Sequence, residues 1–355
     1  MNGLSHVGER LVWRQTVSRH ASHGAPTSPA DHSLQEDTLM RLRFATYNLL
    51  DLTLAPESAR EGERQRQVIQ TIRAIRPDVI AVQELKCPPG RAGRLVAEVG
   101  ERTGLTATVQ ESGGRAVHAV AVGDHTLHVA LLWRPGLTPL PETFRTYSPA
   151  VHHHGGWRGV GYGSLVRLGF VVAGRAVTFA SYHAPAFGRH RRLDQAETAL
   201  AAVTAPAGPV LVGSDFNAVG AARVNGDFYD PDPYTGHLWW PDLVHQCHEP
   251  THPGTSHRAD RRPAAVWEAG GLYDVAAHAR RPWQATTGHW PSCPYSVRGI
   301  ARRIDTVHAT EPVLRAVSGV AVVDTPVSRA ASDHLPVVVD LDPAALPAPP
   351  AVGGS

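Results

Sequence analysis

Apolar segments that each run into an acid, an amide or a histidine constrain this chain more than any other feature. RLRFATYN places Leu42, Phe44 and Thr46 on one side of an alternating stretch and closes on Asn48, the pattern of a strand. DVIAVQEL is a nearly continuous apolar strand ending at Glu84. Between the two, Val68, Ile72 and Ile75 recur at i, i+4 and i+7, which predicts a helix that Pro77 stops. LHVALLW at 127–133 is another strand, and SLVRLGFVV with RAVTFASYH reads as a hairpin that turns at Ala173 and Gly174 and delivers His183. Leu193, Ala196, Leu200 and Val203 mark the next helix face, and PVLVGSDFN is a buried strand closing on Asp215 and Asn217. ARRIDTVHAT and SDHLPVVVDL repeat the arrangement with Asp305, Asp333 and His334. Strands converging at one sheet edge would gather these polar groups in one place.

Charge narrows the range of partners. The 355 residues carry 34 basic and 32 acidic side chains, a formal charge of +2, which excludes a polycation that coats nucleic acid by charge alone. At 42% hydrophobic residues the chain is rich enough for a sizeable core. No repeat or linker divides it, so one domain over 41–342 is expected, with a loop-rich insertion at about 220–300. Residues 1–40 read as a flexible arm and 343–355 as a Pro/Ala-rich tail. No apolar run is long enough to span a bilayer, the start lacks a secretory signal's apolar centre, and Cys87, Cys247 and Cys293 are too scattered for a disulfide framework, so a cytoplasmic chain is expected.

Several conspicuous groups have a plainer reading than chemistry. His152, His153 and His154 read as a solvated loop, and Gly159, Gly161 and Gly163 as turn residues. His245, His248, His252 and His257 with Cys247 fit no recurring zinc spacing, and Trp239 and Trp240 read as anchors of a long loop. Asp78 after Pro77 reads as a cap or turn residue. The basic run Arg189, His190, Arg191 and Arg192 follows the His183 strand closely and reads either as a cluster that helps hold a phosphate or as a solvated helix start.

Oxygen donors at the strand ends suit a hard divalent cation such as Mg²⁺, which uses few carboxylates and keeps several waters. Glu84 is the best single ligand candidate, with Asn48 and Asp333 as helpers. The pieces ATYNLL, DVIAVQEL, SYHAP, GSDFNAV, RRID and SDHLP, in this order from residue 43 to about 340, resemble the endonuclease/exonuclease/phosphatase superfamily. That resemblance implies an α+β fold, a four-layer α/β/β/α sandwich with two packed mixed β-sheets, and a metal-dependent phosphoester hydrolase site at one end. It implies that Glu84 is the metal carboxylate with Asn48 beside it, that Asp215 orients or deprotonates the attacking water, and that Asn217 contacts the phosphate. Asp305 would fix the tautomer of His334, His334 would stabilise charge on the phosphoryl oxygens, and His183 would touch the phosphate or assist the leaving oxygen. The expected activity is Mg²⁺-dependent hydrolysis of phosphodiester bonds, with Mn²⁺ as substitute, by a nuclease acting on DNA or RNA. The alternative is a phosphatase or phosphodiesterase acting on a lipid head group, an inositol phosphate or another small phosphoester. A catalytically silent binding module is the third reading, against which every core group is retained.

Overall fold

A computed structural model describes residues 41–111, 113–123, 126–148, 163–205, 208–235, 245–248, 258–290 and 300–347. The arm at 1–40, His152–His154, Gly159, Gly161, Trp239, Trp240, His252, His257 and Cys293 lie outside the described residues.

Twelve strands build two six-stranded sheets. In chain order they are β1 (Leu42–Leu52), β2 (Val79–Lys86), β3 (Val120–Val122), β4 (Leu127–Trp133), β5 (Thr138–Tyr147), β6 (Ser164–Val172), β7 (Arg175–His183), β8 (Val210–Asp215), β9 (Leu272–Asp274), β10 (Asp305–Thr310), β11 (Val317–Val322) and β12 (Val337–Leu341). The first sheet runs β11-β12-β1-β2-β4-β3 and the second β9-β10-β8-β7-β6-β5. Each has one parallel pair at its centre, β1 with β2 and β7 with β8, and antiparallel neighbours outside it. A parallel pair needs a crossover, and a helix fills each: α1 (Ala59–Ile75) in the first sheet, and in the second the helix at Arg189–Thr204, which becomes α3 once α2 (Ala92–Thr103) is counted.

α1 starts at Ser58, whose side chain accepts the Glu61 N–H, and ends at Arg76 in the left-handed region just before Pro77. Its Val68, Ile72 and Ile75 are buried against the first sheet as their spacing predicts. The β6–β7 hairpin turns at Ala173 (φ 47°) and Gly174 (φ 74°), two left-handed residues that match the strand twist. In α3 the buried positions are Arg192, Ala196, Ala199, Ala202 and Val203, while Leu193 and Leu200 are only half-buried. The stripe is thus small residues plus an arginine, rotated from the leucine-based expectation.

The sheets meet face to face. Phe44 lies 5.2 Å from Phe179 and Trp133 5.1 Å from Phe170, ring centre to ring centre, across the interface. Aromatic side chains buried this completely contribute roughly 1.5–3 kcal/mol each. Gly213 is required there: a Cβ would stand 2.8 Å from both Ala81 and Thr46 of the facing sheet. α1 and α2 cover the outside of the first sheet, and α3 with α4 (Arg262–Ala269) the outside of the second, where Trp267 donates its indole N–H to the Ala196 carbonyl at 2.8 Å. This is the expected four-layer sandwich.

The segment from 220 to 300 carries more order than its composition predicts. Besides α4 and β9 it holds a short helix at Val275–His278, and it is clamped by Arg303, whose guanidinium meets Asp230 at 2.7 Å and Asp274 at 2.5 Å in a fully buried ion cluster. Asp78 accepts the Arg43 N–H at 2.6 Å and pairs with Arg134, so it ties strands together instead of capping a turn. Pro343–Ala345 forms a 3-10 turn and Leu346 is buried, so the folded body runs into the Pro/Ala-rich tail. No helix among the described residues is long and apolar enough to cross a membrane.

Candidate active site

Period-two alternation decides what reaches the space between the sheets. On β8, Leu211 and Gly213 face inward, so Asp215 does too, and on β7 Phe179 and Ser181 carry His183 to the same side. On β10, Val307 and Ala309 join the inter-sheet core and Asp305 shares their face. On β1, Phe44 and Thr46 lead to Asn48. Glu84 breaks the rule. Ala81 and Gln83 point inward, so strict alternation would send Glu84 outward, but β2 is bulged between Val82 and Leu85 and Glu84 adopts φ 60°. A left-handed non-glycine residue costs of order 1–3 kcal/mol, and here it turns a carboxylate back into the interface.

The resulting cluster is densely bonded. The Asn48 amide nitrogen donates to Glu84 Oε1 at 3.0 Å and to Asp215 Oδ2 at 2.9 Å, bridging acids of opposite sheets without adding charge. Its carbonyl oxygen accepts the Leu50 N–H at 3.0 Å, and Glu84 Oε2 accepts the Asp51 N–H at 3.2 Å. His183 Nε2 stands 3.3 Å from Asp215 Oδ2 and 3.9 Å from Glu84 Oε1. His334 Nδ1 lies 2.8 Å from Asp305 Oδ2, which directs its Nε2 toward Asp215 Oδ2 at 4.0 Å. Asn217, at φ 48°, donates its side-chain amide to the Ala184 carbonyl and its N–H to Asp215 Oδ1. Metal-type donor atoms thus form two overlapping groups, Glu84, His183 and Asp215, and Asp215, Asp305 and His334, each within 4.8 Å. Asp333 belongs to neither, yet its charge acts on both Glu84 and His334 and its Oδ1 is buried without a hydrogen-bond partner.

Burial and charge compete at every one of these groups. Burial pushes Glu84 above the usual carboxylate range, a rise that His183, His334 and the Asn48 hydrogen bond only partly offset. Burial acts the same way on Asp215, but the His334 charge and the His183 hydrogen bond outweigh it and hold the acid well below its ordinary value. For His334 burial lowers the pKa, and the charges of Asp305, Asp215 and Asp333 overcome it and raise it well above the usual histidine range. The oxygen-rich donor set and the orphaned Asp333 Oδ1 fit a hard divalent cation.

Two positioning groups escaped the sequence reading. Thr286 Oγ1 accepts the N–H groups of Ile304 and Asp305 at 3.2 and 3.1 Å, while its carbonyl accepts the Leu335 N–H at 2.8 Å, tying Asp305 to the His334 segment. Ser332 Oγ donates to the Asn48 carbonyl at 2.8 Å and accepts the His334 N–H at 3.2 Å. Ser332 lies within SDHLP and was findable; TTGHW offers no comparable signal for Thr286. Conversely, Arg192 does not present itself to a phosphate. It is fully buried, donating to the carbonyls of Pro185 and Ala186 at 3.0 and 3.1 Å and to that of His245.

Beside Glu84 opens a cleft of about 890 Å³, bordered by Asp51, Lys86, Arg64 and Trp290. Its cations are mostly matched: Lys86 with Asp51 at 2.5 Å, Arg64 with Glu61 at 2.6 Å.

A family model described as the Endonuclease/Exonuclease/phosphatase family matches residues 45–334. Similar solved structures include an endonuclease/exonuclease/phosphatase from Bacteroides vulgatus, 16% identical with a TM-score of 0.54 over 85% of this chain and 98% of that one. An endonuclease/exonuclease/phosphatase family protein from Bacteroides thetaiotaomicron is 18% identical, TM-score 0.53, over 85% and 97%. An AP endonuclease from Archaeoglobus fulgidus is 16% identical, TM-score 0.51, over 85% and 99%. Comparison with the curated proteins gave no match.

Proposed function

Because this chain belongs to the endonuclease/exonuclease/phosphatase family and is a metal-dependent phosphoester hydrolase, we propose that it is a Mg²⁺-dependent phosphodiesterase of the cytoplasm acting as a nuclease on DNA or RNA. The observation that carries this is the meeting of Glu84, His183, Asp215, Asp305 and His334 around one point where the inner faces of both sheets end. Glu84 and Asp333 would hold the cation, with Asn48 fixing the Glu84 carboxylate. A bound Mg²⁺ would neutralise phosphoryl charge and lower the pKa of a water. Asp215, ionised by its histidine neighbours, orients the attacking water and accepts its proton. His334, held by Asp305 and carrying a proton, donates from Nε2 to a phosphoryl oxygen where charge builds in the transition state. His183 and Asn217 flank it, His183 on the side of the leaving oxygen and Asn217 against the phosphate.

A second reading has one observation behind it. The matched cations in the cleft beside Glu84 suit a small phosphoester, such as an inositol phosphate or a lipid head group, better than a polyanion held by charge. The test is a panel of single- and double-stranded DNA, RNA, bis(p-nitrophenyl) phosphate and an inositol phosphate, each with Mg²⁺, Mn²⁺ and chelator. Chelator-sensitive cleavage of nucleic acid is expected, and Asp215→Asn and His334→Ala should each lower the rate by about 10²–10⁴. Hydrolysis unaffected by chelator, or by both substitutions, would reject the site.

A further inference from the structure

Six residues beyond Asn217 the chain makes a two-stranded hairpin, Arg223–Val224 paired with Asp227–Phe228, turning at Asn225 (φ 54°) and Gly226 (φ 96°). It is firmly founded. The Tyr229 N–H closes its base on the Ala222 carbonyl, and the following Asp230 takes the Gly220 N–H at 3.0 Å, the Trp283 indole N–H at 2.8 Å and the Arg303 guanidinium. Phe228 lies on this hairpin, 42% exposed, and two guanidiniums pack on its ring: Arg223 at 3.9 Å and Arg261 at 4.2 Å from the centroid.

Two like charges on one small ring repel each other, and the usual remedy is a shared carboxylate. None is in place: among the described residues neither guanidinium forms an ion pair, and their hydrogen bonds run to the carbonyls of Gly226, Gly220 and Asp230. The charges of Asp230 and Asp232 reach Arg261, but the hydrogen bonds of both carboxylates go to other groups. Asp230 is taken by Arg303, and Asp232 accepts the N–H groups of Tyr234 and Ala259 at 3.0 Å each. Three of the ten N–H bonds of the two forks are thus used, leaving a rigid, doubly cationic face with an aromatic body, the composition that grips a nucleic-acid backbone.

We propose that Arg223, Phe228 and Arg261 form a phosphate subsite for a polynucleotide strand, separate from the hydrolytic cluster and engaging a backbone phosphate several nucleotides from the scissile bond. Arg223 is six residues from Asn217, so the fully extended chain limits their Cα separation to about 20 Å, or about six phosphates at duplex spacing. The proposal deepens the nuclease reading and rests on it.

Steady-state hydrolysis by the full chain with Mg²⁺ tests this, using bis(p-nitrophenyl) phosphate, a dinucleotide and a 20-nucleotide single strand of DNA and of RNA. Arg223 is exposed, so its replacement leaves the body intact, verified by an unchanged melting temperature. Arg223→Ala is expected to raise KM for the 20-mer about tenfold at low salt with kcat steady, to lower the salt slope by about one, and to leave the two short substrates unchanged. Arg223→Glu should go further and Arg223→Lys should recover part of the loss. Equal effects on all substrates, or none on the 20-mer, would overturn the subsite. A chain that cleaves the small diester but no oligonucleotide overturns the subsite while the phosphoesterase reading stands; one that cleaves nothing overturns that reading as well.

Discussion

Thr286 shows how much a single hydroxyl can organise. Fully buried, it is bonded to both halves of the Asp305–His334 pair through two N–H acceptances and one carbonyl. Thr286→Val keeps the shape and removes the acceptor, leaving two buried N–H groups unsatisfied. Destabilisation of about 1–3 kcal/mol by urea unfolding is expected, with a drop in kcat of at least about tenfold as Asp305 loosens. A kcat within twofold of the parent would deny the positioning role. At this scale the chemistry-bearing side chains are the legible part, because hydrolysis restricts the residue types that can serve, whereas supports such as Thr286 and Arg192 act through backbone groups that any sequence supplies.

Strand β10 illustrates what alternation does within one element. Asp305, Val307 and Ala309 face the other sheet, while His308 turns outward between Phe216 and Trp267, whose ring centres lie 5.3 and 5.0 Å away. Burial there pushes His308 down to about 4, with Asp274 opposing and Arg303 adding to the shift. The unfolded histidine titrates near about 6.5, so the folded pKa is the lower one. The stabilisation is complete above pH 6.5 and is lost as pH falls toward 4, a window worth roughly 3 kcal/mol. Between pH 7 and 4.5 the parent should therefore lose about 2–3 kcal/mol more than His308→Phe in denaturant titrations; parallel losses would contradict this. Elements with clean periodicity were readable from sequence, including β4, β6, β7 and α1. β5 was not, since Pro139 and Pro141 argue against a strand, and it exists because its place at the sheet edge tolerates missing donors. The bulges that extend β1 and β2 beyond Asn48 and Glu84 were equally hidden, as they answer to the facing sheet and not to local pattern.

Across the whole molecule, ligand binding should be visible as stability. If Glu84 holds a cation, adding Mg²⁺ at about a hundredfold excess over its dissociation constant stabilises the fold by about 2.7 kcal/mol, a rise in melting temperature of roughly 4–5 °C. Glu84→Gln should abolish that rise while folding normally; an undiminished rise would move the cation elsewhere. The four-layer arrangement was legible through the family's ordered motifs, whereas the ordered parts of 220–300 were not, because they are secured by Arg303 and its two acids, a long-range cluster with no local signature.

The Asn48 amide touches one acid from each sheet, and that bridge makes the reactive centre a joint possession of the two halves. Neither half carries a working set by itself: Asn48, Glu84 and His334 come with the first sheet, His183, Asp215 and Asp305 with the second. Turnover is consequently a readout of tertiary assembly, appearing only when both layers have closed in register and vanishing with the first slip between them.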